Sequence, residues 1–207
     1  MPAPGYTMGT TERKQRQKAA VRSAILQAAW ELVQADGWQS LSIRRIADAI
    51  DYSVPVIYDH FANKNDILLE FAKRGYEGMY EAVQKAKARH AAPEARLEAM
   101  AYAYCDYARA NTAQYQLMFG VGMNSCEMFR QVPRLGDMEA LLEQAIAAVG
   151  EQYHATLNVH VKFRCLWAML QGVNAAYIME DNDAHCEQQQ ELILSDMIHT
   201  FIKGLKP

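Results

Sequence analysis

Leu41–Phe61 reads LSIRRIADAIDYSVPVIYDHF, and the fold turns on that stretch. Ser42 stands where an N-cap would open a short helix over Ile43–Ile50, and Ser53 where one would open a second, ending near His60. Helices this short bury little on their own, so a third must cover them. Ile25, Ala28, Ala29, Leu32 and Val33, spaced i, i+3, i+4, i+7 and i+8, supply its face, and Gly37 ends it. Ala47 is small where the two short helices would cross, and Ile43, Ile46, Ile50, Ile57 and Phe61 provide apolar contacts. The pattern predicts a helix-turn-helix, whose second helix is exposed on one side and can enter a major groove.

Outward from this motif the period stays helical and strand-like alternation is hard to find. Asn63 precedes a long run to about Arg89, with Asp66 three residues on as in a capping box. Pro93 takes an N1 position ahead of the stripe Leu97, Met100, Ala101, Tyr104 and Ala108. Phe119–Gly136 carries three glycines and Pro133, so loops with at most one short helix are expected there. Three further helices are predicted, roughly 137–153, 158–180 and 185–203. The expected fold is all-α: a basic N-terminal arm over 1–19, partly disordered, a helix-turn-helix domain over 20–66, and a larger helical domain over 67–207.

At 207 residues, 51% hydrophobic and 22% charged, the chain can build a packed core and is no disordered tail. Its net charge is −3, so any positive charge for a phosphate-bearing partner must be local. Through Asn65, eight Lys and Arg face six acids, which leaves the remainder at −5; Arg13, Lys14, Arg16, Lys18 and Arg22 cluster before the first apolar stripe. Four scattered cysteines make neither a zinc pattern nor a disulfide framework. Met1–Gly5 opens no export signal, and Cys165–Met179, the longest uncharged apolar stretch, falls short of the roughly 20 residues of a membrane span. A cytoplasmic protein with no membrane partner, cofactor, metal or catalytic group is expected.

Ile57-Tyr58-Asp59-His60-Phe61-Ala62-Asn63-Lys64-Asn65-Asp66-Ile67-Leu68, with the upstream blocks Ile25–Ala29 and Asp36-Gly37-Trp38, resembles the DNA-binding domain of TetR-type transcriptional regulators over about residues 20 to 70. Asp51 stands where that family usually has Gly, and Asp tolerates a left-handed turn. The resemblance implies double-stranded DNA as partner. Arg44 is then within reach of a phosphate or guanine edge, and Ser53, besides capping, of a phosphate. Val54 and Val56 offer methyl groups to thymine, and Pro55 sits near the start of the reading helix. Tyr58 matches the family's backbone-contacting tyrosine, Asp59 suits a cytosine amine, His60 a phosphate or base, and Lys64 a phosphate, while Arg13, Lys14, Arg16 and Lys18 form the arm.

The C-terminal half resembles the family's ligand domain more loosely, through Tyr115–Gly120 and Trp167–Gly172. The resemblance implies a homodimer joined through the last two long helices, for which Leu166, Leu170, Gly172, Leu194, Ile198 and Phe201 are the candidates. It also implies a small-molecule effector, mostly apolar, lined by Met100, Tyr104, Tyr107, Met118, Phe119, Met123, Trp167 and Tyr177; core packing is the competing role for each. The expected function is a repressor on an inverted-repeat operator, released by that effector. The alternatives are a thiol sensor using Cys126 and a helical enzyme, for which no nucleophile elbow, phosphate loop or zinc motif is found.

Overall fold

The computed structural model describes residues 10–120, 130–179 and 184–207, and every regular element among them is helical. The chain divides into two compact units, one ending at Glu70 and one beginning at Phe71.

The first unit holds α1 (Thr10–Asp36), a 3-10 turn (Trp38–Ser40), α2 (Ile43–Ala49), α3 (Val54–Tyr58) and the opening turns of α4 (Lys64–Lys87). Gly37, at φ +78°, stops α1 and donates its N–H to Val33 O at 2.9 Å. Ile25, Ala29, Ile46, Ala47 and Ile57 are all but inaccessible, whereas Leu32, Ile43 and Ile50 are only half-buried. The basic cluster expected as an arm is helical from Thr10 onward, because Glu12–Ala20 consists of strong helix formers and continues the periodic helix without a break.

The second unit contains the rest of α4, then α5 (Pro93–Ala110), α6 (Thr112–Gly120), α7 (Pro133–Gln152), α8 (Val159–Met179) and α9 (Ala184–Lys203). Helix α5 is its centre, packing on α6, α7, α8 and α9. Leu97, Met100, Ala101, Tyr104 and Ala108, the predicted stripe, are buried there. Phe119–Gly136 departs from expectation: Phe119 and Gly120 close α6, and Pro133–Gly136 open α7. Pro133 sits in the first turn, where no N–H is needed, and a side chain at Gly136 would meet open space, so neither residue breaks the helix. Asn111 alone separates α5 from α6, returning its amide Nδ2 to Tyr107 O at 2.9 Å.

Close helix approach within this unit rests on two glycines of α4. A Cβ at Gly75 would lie 2.5 Å from Met118 Sδ, and one at Gly78 2.7 Å from the Tyr107 hydroxyl; at Gly172 it would meet nothing within 4 Å. Of the six residues expected at a dimer interface, Gly172 is exposed and the other five are buried. Leu166, Leu170, Leu194, Ile198 and Phe201 are buried within their own unit, because α8 and α9 spend their large apolar side chains on the local core. The outward face of α8 is Val161, Cys165, Ala168, Gly172, Ala175 and Met179, and α9 exposes Leu192 and Ile193. No helix of the described residues is long and apolar enough to cross a membrane.

Candidate nucleic-acid interface

The turn between α2 and α3 is built by the chain itself. Ser42 Oγ accepts from Arg45 N at 3.2 Å to open α2. At its end Asp51 adopts φ +56°, Tyr52 N–H reaches Ala47 O at 3.0 Å and Asp51 N–H reaches Asp48 O at 3.4 Å. This is a Schellman closure with Asp in the place glycine favours, as the sequence predicted. Ser53 holds the N-cap position of α3 without capping through its side chain. Pro55 has no N–H to give, and Val56 N–H is bonded to Ser53 O at 3.0 Å, so no donor is left for the hydroxyl. At the next helix Asn63 Oδ1 accepts from Asp66 N at 3.1 Å, while Asp66 Oδ2 takes the Ala62 N–H at 3.0 Å.

Ile57 and Phe61 anchor the segment in the core, and Arg22 stacks 4.8 Å over Phe61 while pairing with Glu70 at 2.9 Å. The anchoring leaves Ser53, Pro55, Tyr58 and Asp59 exposed, with Val54, Val56 and His60 half-buried beside them. Tyr58 is 53% exposed, so its ring takes no part in the core. The basic residues separate by task. Arg45 is tied to Asp36 and to Ser40 O, whereas Arg44, Arg13, Lys14, Arg16 and Lys18 are solvent-exposed. Lys64 donates to Gln39 O at 3.3 Å, which fixes its ammonium near the loop after α1.

A groove of about 490 Å³ runs between Lys14 and Lys18 on one wall and Tyr52, Val56, Asp59 and His60 on the other. The buried His60 Nδ1 has no hydrogen-bond partner among the described residues. Five of the sequence-predicted contacts, Lys14, Lys18, Val56, Asp59 and His60, thus line one groove, cationic on the α1 side and mixed on the α3 side. This surface can hold a phosphate backbone while presenting methyl, phenol and carboxylate groups to bases.

The predicted ligand lining is less coherent. Met100, Tyr104 and Met118 are wholly buried, Tyr107, Trp167 and Tyr177 half-buried, and Phe119 exposed; Met123 and Cys126 lie outside the described residues. Tyr104 meets Trp167 at 5.6 Å and Tyr115 at 6.3 Å between ring centroids. Gln171 joins the two phenols, accepting from Tyr115 OH at 2.9 Å and donating to Tyr104 OH at 2.6 Å. Burial drives the Tyr104 phenol well up and raises Tyr115 to about 12; it also pushes the Cys105 thiol up to about 12. Tyr115, Gln171, Asn174 and Arg109 escaped the sequence reading as site residues, although Gln171 and Asn174 interrupting an apolar helix was the available signal. Glu139, Glu143 and His160 bring potential metal-ligand atoms within 4.8 Å of one another, and His160 Nδ1 is hydrogen-bonded to Glu143 Oε1 at 3.0 Å.

The profile of bacterial regulatory proteins of the tetR family matches residues 25–71. The HTH-type transcriptional activator FasR of Mycolicibacterium smegmatis is 29% identical over 98 residues, 47% of this chain and 45% of that protein, so the match spans less than half of the relative's length. Among solved structures, the TetR family transcriptional regulator PfmR from Thermus thermophilus aligns with a TM-score of 0.65 and 22% identity, covering 88% of this chain and 99% of that one. AibR in complex with isovaleryl coenzyme A and operator DNA aligns with a TM-score of 0.64 and 18% identity over 86% and 96% of the two chains.

Proposed function

We propose that the chain, whose residues 25–71 match the tetR family of bacterial regulatory proteins, binds an inverted-repeat operator as a homodimer and is released by a small, mostly apolar effector. The observation that carries this reading is the Ser53–His60 segment, which holds Ile57 in the core beside Phe61 while Ser53, Pro55, Tyr58 and Asp59 stand exposed. Such a segment costs the core nothing and offers its side chains to a groove.

Dimerisation through α8 and α9 is supported by their outward faces. Small residues on α8 permit close approach, and Met179 at 86%, Leu192 at 66% and Ile193 at 46% exposure are apolar groups in want of cover. A two-fold pair would set its reading helices about 34–36 Å apart, one turn of DNA. Helix α4 contributes residues to both units, so a ligand favouring one placement of α4 changes the spacing of the reading heads. A coupling of about 1–3 kcal/mol lowers DNA affinity roughly 5- to 150-fold. AibR, on the same fold, is found with ligand and operator together, which supports assigning both partners to this architecture.

The test is recovery of bound DNA from a random pool with the full chain. An enriched inverted repeat is expected, and a pool without enrichment overturns the proposal. On the recovered site Lys64→Ala should weaken all sequences alike and reduce the salt slope by about 1. FasR is an activator, so a reporter read for both loss and gain of transcription fixes the direction of control.

A further inference from the structure

The end of α5 turns a guanidinium inward. Arg109 has a side chain only 16% exposed; its Cζ stacks 5.1 Å over the Tyr177 ring of α8, and its Nη1 donates to Glu191 Oε2 of α9 at 3.2 Å. The other two nitrogens, Nε and Nη2, are buried with no hydrogen-bond partner among the described residues. These two nitrogens form one edge of the guanidinium, whose parallel N–H groups match the two oxygens of a carboxylate. Cys105, one turn before Arg109 on α5, feels the guanidinium's charge and is itself fully buried.

Buried donors left unpaired call for an occupant, since desolvating them gains nothing without an acceptor. The nearby acids do not fill the place. Glu191 is 59% exposed and already holds Nη1, and the Asp106 carboxyl, exposed on α5, is raised by desolvation and by Glu191 against the lowering pull of Arg109. The Tyr177 ring against the guanidinium and the buried Cys105 one turn before it suit a single carboxylate on an apolar body.

We propose that the unit beginning at Phe71 binds a small apolar carboxylic acid whose carboxylate lies across the Nε–Nη2 edge of Arg109. The proposal rests on the effector reading above and names the effector's class.

The full chain is titrated calorimetrically with sodium decanoate and sodium benzoate, each beside its primary amide. At least one carboxylate should bind, and its amide should bind roughly ten- to hundredfold more weakly. Arg109→Gln should erase that preference, and Arg109→Lys, which keeps the charge but loses the forked edge, should erase most of it and carries the test if the Gln variant fails to fold. Glu191→Gln, which breaks only the exposed pair, should keep the preference. The proposal is overturned by absence of binding to both carboxylates, by equal binding of acid and amide, or by a preference that survives Arg109→Lys or disappears in Glu191→Gln. Release from the operator is measured separately. An Arg109-dependent carboxylate that leaves DNA affinity unchanged upholds the site and defeats the effector reading; release by amides alone does the reverse.

Discussion

The two units use polar side chains in opposite ways. In the unit ending at Glu70 the core is apolar and the groups fit for recognition stand outside it: Arg44, Ser53, Tyr58 and the Arg13–Lys18 cluster are all exposed. In the unit beginning at Phe71 polar groups turn inward, as Tyr104, Tyr115, Gln171, Asn174 and Arg109 do among buried aromatic and aliphatic side chains. An outward surface suits a partner as large as a duplex, whose backbone meets it from solvent. An inward one suits a partner small enough to be enclosed, and it makes stability and binding hard to separate.

The sharpest way to break the contrast is at the anchor of the first unit. Ile57→Ala removes a fully buried side chain and should cost about 2–5 kcal/mol, read by denaturant unfolding, with DNA binding lost alongside. In the second unit Gly78→Ala forces a methyl into the Tyr107 ring and should cost about 1–3 kcal/mol; a neutral result would mean α4 and α5 can move apart freely. Alkali should act through the inward groups. Folded Tyr104, Tyr115 and Cys105 keep their protons above the ordinary values of 10.0 for phenol and 9.0 for thiol. The unfolded chain releases them there, so stability is whole below about pH 9 and falls as pH rises toward the folded values. Melting temperatures followed upward from about pH 8 should decline accordingly. The smallest change in stability belongs to Tyr58→Ala, within about 0.5 kcal/mol by unfolding, yet operator affinity should drop; an equal loss of both would place Tyr58 in the fold rather than the interface.

Local rules made the first unit readable. Ser42 and Asn63 as caps, Asp51 in a left-handed turn and the Ile25–Val33 stripe each depend on residues close in sequence, and each is found in the structure. Even there Ser53 was misjudged as a side-chain cap, since the effect of Pro55 on its donor supply needs the two residues considered together. The second unit resisted for a different reason. An apolar run such as 166–178 announces that a helix has large buried surface, not whether its own unit or a second copy covers each face; Leu166 and Leu170 went inward, and the small residues faced out. Likewise nothing local marks Asn111 as the break between α5 and α6, nor tells a solvated Arg109 from one drawn over Tyr177.

Pro55 has a consequence for how this molecule can change. By withholding an amide proton it releases the Ser53 hydroxyl from the upkeep of the helix, so position 53 carries no folding duty through that oxygen. Exchanging the side chain there retools what the tip offers to its target while the shaft behind it stays as it was. New specificities can therefore be sampled at this position without first acquiring a stabilising partner elsewhere.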